Sequence, residues 1–483
     1  MLTAGSILAS VPHLDVIRRA AGRRRCYLVG GAVRDAFLGR PSKDFDFVVD
    51  QAPVVARTVA RRLGGTLVAL HEEHQTSRVV VGSGAGRIDL DFAAPRRPGL
   101  LGDLRARDFT LSAIAAGPLG GQARLVDPCG GRADLAKRRV RMTGPEALAA
   151  DPVRVLRAYR LAATLGFRIE AATRRQCRKL AGRVASCPRE RLGAELLLLL
   201  AADTYATPLE AMGEDGVLSA LLPDWAAGAG VEQGGVHEFD VAEHSLRAAL
   251  ELHLITVRPD TWLPEHEARI GAYLADPQRR AGLVLATLLH DVGKPQRRVW
   301  GGDRWRFFGH EELGAGLAAR STAQLGLPRG VRRQVKTLVG AHMRLLPFMQ
   351  SDEPTPRARR RFMRDLAPHG VGAVLLALAD RRALRSRPEF DDDEATLRRL
   401  AALLAAEDDE PGGRRHDLPI TGDDLLGLGL KPGPQIGEIL RAVEDRWIDG
   451  ELAGRGEALE WLARRVRADD GGAAKTDADH AEG

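Results

Sequence analysis

The chain has 4 cysteines in 483 residues, and Cys26, Cys129, Cys177 and Cys187 form no CxxC pair or other zinc-ligand spacing. That pattern excludes a disulfide scaffold and a structural zinc knuckle, and it leaves reduced, mostly buried thiols. Long apolar runs are missing too. None approaches the roughly 20 residues of a membrane span, and the longest, Leu196 to Ala202, reads as one face of a core helix. The first residues lack a signal peptide's basic region, apolar run and small-residue cleavage site, so a soluble cytoplasmic protein is expected. No internal repeat of solenoid period is visible.

What is present fits a globular protein of several domains. The length suggests about three, and 44% hydrophobic residues suffice to give each a core. The 71 Lys and Arg against 64 Asp and Glu leave a formal charge of +7. A polyanionic partner and a merely solvated basic surface fit that balance equally well. Over the first 140 residues, strand-like runs (CYLVG, FDFVV, TLVAL, RVVVG, RIDLDF) alternate with helical or glycine-punctuated segments, which predicts a small α/β domain. From Asp151 to about Arg385 the pattern is helical, with stretches such as ERLGAELLLLLAA and RAGLVLATLLHD. A charged linker, AAEDDEPGGRR, then precedes a last helical module, and GGAAKTDADHAEG has the composition of a disordered tail. The fold class expected is α+β, with an α/β head and a long all-α body.

The stretch LVGGAVRDAFLGRPSKDFDFVVD, Leu28 to Asp50, carries the first chemistry. Strand alternation in FDFVV puts Phe45, Phe47 and Val49 on one face and Asp44, Asp46 and Val48 on the other. Two like charges so close repel unless a cation neutralises them, and Mg²⁺ suits a carboxylate pair completed by water and phosphate oxygens. The Gly30-Gly31 turn would bring backbone N–H groups to a triphosphate, with Arg34 as a cationic clamp. This is a plan for phosphoryl or nucleotidyl transfer by two metals. A bare DxD on a surface strand is the blander reading, but the ordered set GG, RD, LGR, DxD is far more specific.

At these residues the sequence resembles the class II tRNA nucleotidyltransferase and bacterial poly(A) polymerase family. The resemblance implies a DNA polymerase beta-like head, tRNA as partner, CTP and ATP as substrates, and Mg²⁺ as cofactor. DFAAPR resembles the family strand that supplies a third carboxylate, with Asp91 favoured over Asp89 on the same face. RARDFTLSAIA resembles the family's RRDFTINALA, which makes Arg107 and Asp108 nucleotide contacts, while Ser112 departs from the usual Asn. In ADPVRVLRAYRLAATLGF, Asp151, Arg154, Arg157 and Arg160 fall along one helix side, with Val155, Leu156, Tyr159 and Ala163 opposite. Periodicity alone favours Asp151 as an N-cap with Pro152 at N1 and an exposed basic face. The resemblance instead makes Asp151 and Arg154 the amino-acid template that reads the incoming base, with Arg157 and Arg160 as further nucleotide contacts and Ala150 in place of an acidic residue. SCPRERLGAELLLLL resembles the family's neck, where Glu190, Arg191 and Glu195 are expected to be structural.

A second centre lies in EHS, HDVGKP, FGHEE, GAHMR and ALADRRA, which supply His244, His290, Asp291, His310, His342 and Asp380. Any one of these histidines alone is more often structural, but together they suit one or two divalent ions of unspecified identity. They resemble the HD phosphohydrolase superfamily, which implies hydrolysis of phosphomonoesters or cyclic phosphodiesters. ITGDDLLGLGLKPGPQIGEIL places a glycine-rich hairpin between two helices, as a phosphate-contacting helix-hairpin-helix or a plain capping loop.

The division expected is a nucleotidyltransferase head over 1–141, a helical neck and RNA-binding domain over 142–233, an HD domain over 234–385 and a helical module with tail over 386–483. The leading function is template-independent addition or repair of the tRNA 3′ CCA end. A CC-adding, A-adding or poly(A)-adding enzyme is the alternative, raised by the short segment RPGLLGDLRA where many family members carry a longer flexible loop. An HD phosphohydrolase with a merely binding head is the rival from another class. Oligomeric state is not legible.

Overall fold

The computed structural model describes residues 2–71, 75–235, 237–350, 355–384, 390–405, 420–448 and 451–473. The charged linker beyond Ala405 and residues 474–483 of the expected tail lie outside these.

The strand-like runs form β1 (Cys26–Val29), β2 (Asp44–Val49), β3 (Thr66–His71), β4 (Thr76–Val81) and β5 (Ile88–Ala93), completed by β6 (Ala115–Gly117) and β7 (Arg124–Val126). They make one sheet in the order β3-β4-β5-β2-β1-β6-β7. Only the central β2–β5 pair is parallel. The Ala52–Leu63 helix and the β3–β4 hairpin form the crossover that a parallel pair requires. Alternation holds: Phe45, Phe47 and Val49 enter the large core with Val55 and Val59 of that helix, and Phe47 stacks on Phe92 at 5.2 Å. Val48 packs on the opposite face with Val29, Leu104, Ala113 and Ala115. Burying a phenylalanine contributes about 1.5–3 kcal/mol, so a one-residue slip that turned Phe45 and Phe47 outward is strongly disfavoured. That burial fixes the direction in which the intervening aspartates point.

Beyond the main sheet the described residues are helical apart from two short ladders, Arg139–Val140 with Arg168–Ile169 and Val299–Trp300 with Trp305–Arg306. The Val153–Leu165 helix buries Val155, Leu156, Tyr159, Ala162 and Ala163, and it ends at Gly166 in the left-handed conformation. The N-cap reading of Asp151 is corrected here. The helix begins at Val153, Pro152 stands at the N-cap, and no side chain caps it. The Arg189–Leu200 helix packs between Val153–Leu165 and Pro277–Leu289. Gly193 lets the same helix also seat against the segment after the His310–Gln324 helix, because a Cβ there would strike the Leu325 carbonyl and the Leu327 side chain.

One large apolar core runs from the head to Leu400, Leu403 and Leu404 of the Phe390–Ala405 helix. A separate small core, with Ile420, Leu425, Ile439, Val443 and Leu462, holds the last helices. Among the described residues no single helix is long and apolar enough to cross a membrane. One pair, Ala358–Asp365 with Gly370–Arg382, passes only when joined across a 103° bend. The second of these helices is buried in the core.

Two candidate active sites

A cavity of about 360 Å³ opens on the head and is walled by Gly30, Gly31, Arg34, Asp46, Asp91, Arg107, Asp108, Ser112, Arg154, Arg157 and Arg160. The parallel register of β2 and β5 sets Asp46 beside Asp91 and Asp44 beside Asp89. Asp91 faces the cavity. Asp89 instead receives Arg87 Nε at 2.8 Å and Arg78 Nη1 at 3.1 Å. Arg78, from β4, also grips Asp91 with two bonds of 2.8 Å. Asp44 is exposed at the start of β2, outside the cavity wall. Burial raises the Asp46 carboxyl above the usual range, Asp91 and Asp44 add repulsion, and Arg107 acts in the opposite sense. A half-buried carboxylate with two acidic neighbours is the donor set that a divalent cation relieves. Gly30, at φ 76, leads into the Gly31–Phe37 helix, and a Cβ on it would lie 3.0 Å from both Asp46 Oδ2 and Arg107 Nη1.

The arginines are held in place by buried carboxylates. Asp108 accepts Arg157 Nη1 and the Phe109 N–H, each at 2.9 Å. Burial works to raise the Asp108 carboxyl, but Arg157 and its bonds outweigh it and hold the group below its usual range. Glu195 accepts Arg157 Nε on one oxygen and Arg160 Nε on the other, both at 2.8 Å. The neck glutamate expected to be structural therefore aims two cavity arginines. Asp103, which the sequence reading passed over, takes Arg107 at 3.3 Å and the Arg96 N–H at 3.1 Å. Its i,i+4 spacing to Arg107 was the available signal. Arg34 is paired with Asp35 at 2.8 Å. Asp151 is outside the cavity wall, bonded to Arg191 at 2.6 Å and 4.0 Å from Arg154. Arg154 Nη1 donates to the Ala147 carbonyl at 2.7 Å.

The second centre brings all six expected ligands together as two groups, His244, His290 and Asp380, and Asp291, His310 and His342. Each histidine turns Nδ1 to a backbone carbonyl: His290 to Thr287 at 2.7 Å, His310 to Phe307 at 2.8 Å, His342 to Val339 at 2.7 Å and His244 to Ala383 at 3.3 Å. Donation from Nδ1 leaves Nε2 as a lone pair, the tautomer a metal requires. His310 and His342 then face each other Nε2 to Nε2 at 3.1 Å. His290 Nε2 lies 3.2 Å from Asp291 Oδ2 and 3.4 Å from Asp380 Oδ1, yet it has no hydrogen-bond partner. Converging lone pairs and carboxylates in a buried pocket fit divalent ions. Lys294, missed within HDVGKP, stands 2.6 Å from Asp291 and donates to Gln233 at 2.6 Å. Above the centre is a cavity of about 670 Å³.

Known families match the segments of the chain that carry the two centres. Residues 26–141 match the Poly A polymerase head domain, and 166–228 match a family described as a probable RNA and SrmB-binding site of polymerase A. Residues 241–384 match the HD domain, and 374–463 match domain 2 of tRNA nucleotidyltransferases. The chain is 36% identical over 448 residues to an A-adding tRNA nucleotidyltransferase of Deinococcus radiodurans, covering 90% of this chain and 94% of that one. It is 35% identical over 444 residues to a CC-adding enzyme of Thermus thermophilus, covering 90% and 92%. A solved Thermotoga maritima CCA-adding enzyme complexed with tRNA shares the fold at 22% identity, with a TM-score of 0.59 over 96% of this chain and 99% of that one.

Proposed function

Since the chain belongs to the tRNA nucleotidyltransferase family, we propose that it adds or repairs the 3′-terminal CCA of tRNA from CTP and ATP without a nucleic-acid template. The observation that carries this reading is Asp46 set beside Asp91 under a row of arginines in one cavity. Asp44, Asp46 and Asp91 would hold Mg²⁺, which when bound supplies activation of the attacking hydroxyl and charge neutralisation at the pyrophosphate. The Gly30-Gly31 turn lines the cavity beside Asp46 and offers backbone N–H groups to the triphosphate, and Arg34, Arg107, Arg157 and Arg160 offset its charge. Asp108 and Glu195 keep two of those arginines extended into the cavity. Arg154, with Asp151 behind it, reads the base edge. The basic helical body holds tRNA by shape and phosphate contacts.

The division into 1–141, 142–233, 234–385 and 386–483 is retained as part of this reading, as is action in the cytoplasm, where four unpaired cysteines are at home. In the HD domain His244, His290, Asp291, His310, His342 and Asp380 would hold the divalent ions, which when bound supply a nucleophile for phosphoester hydrolysis. Lys294 offsets phosphate charge beside Asp291. This activity would clear a 2′,3′-cyclic phosphate or a phosphomonoester from a damaged tRNA end and expose the hydroxyl that the head extends.

A narrower reading, addition of CC or of A alone, is favoured by one observation. RPGLLGDLRA folds in part as the Gly99–Arg105 helix, anchored through buried Asp103, and not as a loop free to re-set the cavity. Incorporation into tRNA lacking its CCA, with CTP alone, ATP alone and both, separates the readings. Full CCA addition requires both nucleotides, and Asp46→Ala should abolish incorporation while tRNA binding stays within a few-fold. Near wild-type incorporation by Asp46→Ala at saturating Mg²⁺ would overturn the assignment of the head.

A further inference from the structure

The cavity over the HD centre extends beyond the ligand groups to a wall whose chemistry those groups do not need. Its floor is Asp291, His310, His342 and Asp380, with Lys294 beside them. The rest of its lining includes Arg304, Trp305, Arg306, Phe307 and Phe308. These residues belong to, or directly follow, the small hairpin in which Val299–Trp300 pairs with Trp305–Arg306. Phe308 is 78% exposed and Trp300 55% exposed, in a chain whose other phenylalanines include several fully buried in the core. An aromatic ring left in water at the mouth of a reactive cavity gains nothing from folding.

Three contacts hold this wall in place beside the centre. The Arg298 guanidinium covers one side of the Trp305 ring at 3.8 Å. Trp300 meets Trp305 edge to face at 5.0 Å. The Phe307 carbonyl accepts His310 Nδ1 at 2.8 Å, so the aromatic segment and a ligand histidine are tied together two residues from Phe308. The result is a ring surface flanked by arginines, in one cavity with a ligand-rich floor of two carboxylates, two histidines and Lys294. An aliphatic or sugar phosphate uses only the floor, whereas a nucleotide uses both, with its phosphate below and its base against the rings.

From this juxtaposition we propose that the Trp305–Phe308 wall is a nucleobase platform that directs the HD centre to phosphate esters of nucleotides, free or at the end of an RNA. The proposal rests on the phosphohydrolase reading given above and names what that centre selects. Because Phe308 is so exposed, its replacement leaves packing untouched and reports on binding alone.

The test compares hydrolysis of adenosine 3′-monophosphate, an oligoribonucleotide bearing a 3′-phosphate, and ribose 5-phosphate by wild type, Phe308→Ala and Phe308→Trp, with Mg²⁺, Mn²⁺ or Ni²⁺ supplied in turn. Phe308→Ala should lower kcat/KM for the two nucleotide substrates about tenfold to hundredfold, the range of one lost stacking contact. Ribose 5-phosphate should change less than twofold, and Phe308→Trp should restore the nucleotide rates. Which nucleotide substrate is faster in wild type tells whether the platform takes RNA ends or free nucleotides, and either result upholds it. A uniform fall across all three substrates, or no fall, overturns the platform. If nothing is hydrolysed with any metal, the hydrolase reading fails and calorimetric binding decides this one. Weaker adenosine 3′-monophosphate binding in Phe308→Ala, with inorganic phosphate unaffected, upholds the platform, and unchanged nucleotide affinity sinks it.

Discussion

Gly30 shows how much chemistry depends on one absent side chain. Its backbone sits at φ 76, and the space where a Cβ would point is filled by the Asp46 carboxylate and the Arg107 guanidinium at 3.0 Å. Gly30→Ala therefore combines a positive-φ backbone, which costs an L-residue about 1–3 kcal/mol, with displacement of the carboxylate proposed to hold the metal. We expect incorporation of CTP to fall at least tenfold while the unfolding midpoint drops only modestly. A variant with wild-type kinetics would show that the close packing of glycine, carboxylate and arginine has no part in turnover. The sequence made this glycine visible because it stands between an apolar strand and RD. It did not decide between Asp89 and Asp91, since residues two apart share a strand face, and only the pairing of β5 with β2 puts Asp91 beside Asp46. Nor did local pattern place Asp151. A short acidic residue before proline is a good cap signal, but Arg191 takes its carboxylate at 2.6 Å from the neck helix.

The Val153–Leu165 helix works on two sides. Arg154, Arg157 and Arg160 face the head cavity, while on the buried side the Tyr159 hydroxyl donates to Asp215 at 2.7 Å. Asp215 also accepts Arg174 Nε at 2.7 Å and Arg178 Nη2 at 2.6 Å. Burial pushes its carboxyl upward, but the bonds from Arg174, Arg178 and Tyr159 prevail and hold it below the ordinary range. A depressed folded value means that the carboxylate's stabilisation is complete above the unfolded value of about 4 and is lost as the pH falls through the folded one. With both arginines partly exposed, Asp215→Asn should destabilise the protein by about 2 kcal/mol near pH 7. In urea unfolding, the gap between wild type and variant should close as the pH drops below about 4. A gap that stays constant into acid would assign the loss to packing and not to charge. At this scale the five longer strands were legible because each spans four or more alternating residues. The Val299–Trp300 and Trp305–Arg306 ladder escaped because two-residue strands carry no period to detect.

In the whole molecule the two centres share one apolar core but no side chain. What joins them is the Arg189–Leu200 helix, which uses Glu195 to aim Arg157 and Arg160 and Gly193 to seat against Leu325 and Leu327 after the His310–Gln324 helix. The histidines of the HD centre donate Nδ1 to the backbone carbonyls of Thr287, Phe307, Val339 and Ala383, and among the described residues Arg157 and Arg160 are bonded to Asp108 and Glu195 instead. Sites without common partners behave additively, whereas a residue that spaces the helix between them does not belong to either. His290→Ala should therefore remove phosphoester hydrolysis and leave CTP incorporation within a few-fold of wild type. Gly193→Leu should weaken both, because the added side chain overpacks the seat at a cost of about 1–3 kcal/mol and shifts Glu195 only two positions along the same helix. Parallel assays of incorporation and hydrolysis on the two variants check this. Loss of incorporation in the folded His290→Ala protein would mean that the HD centre controls the head through a route other than this helix.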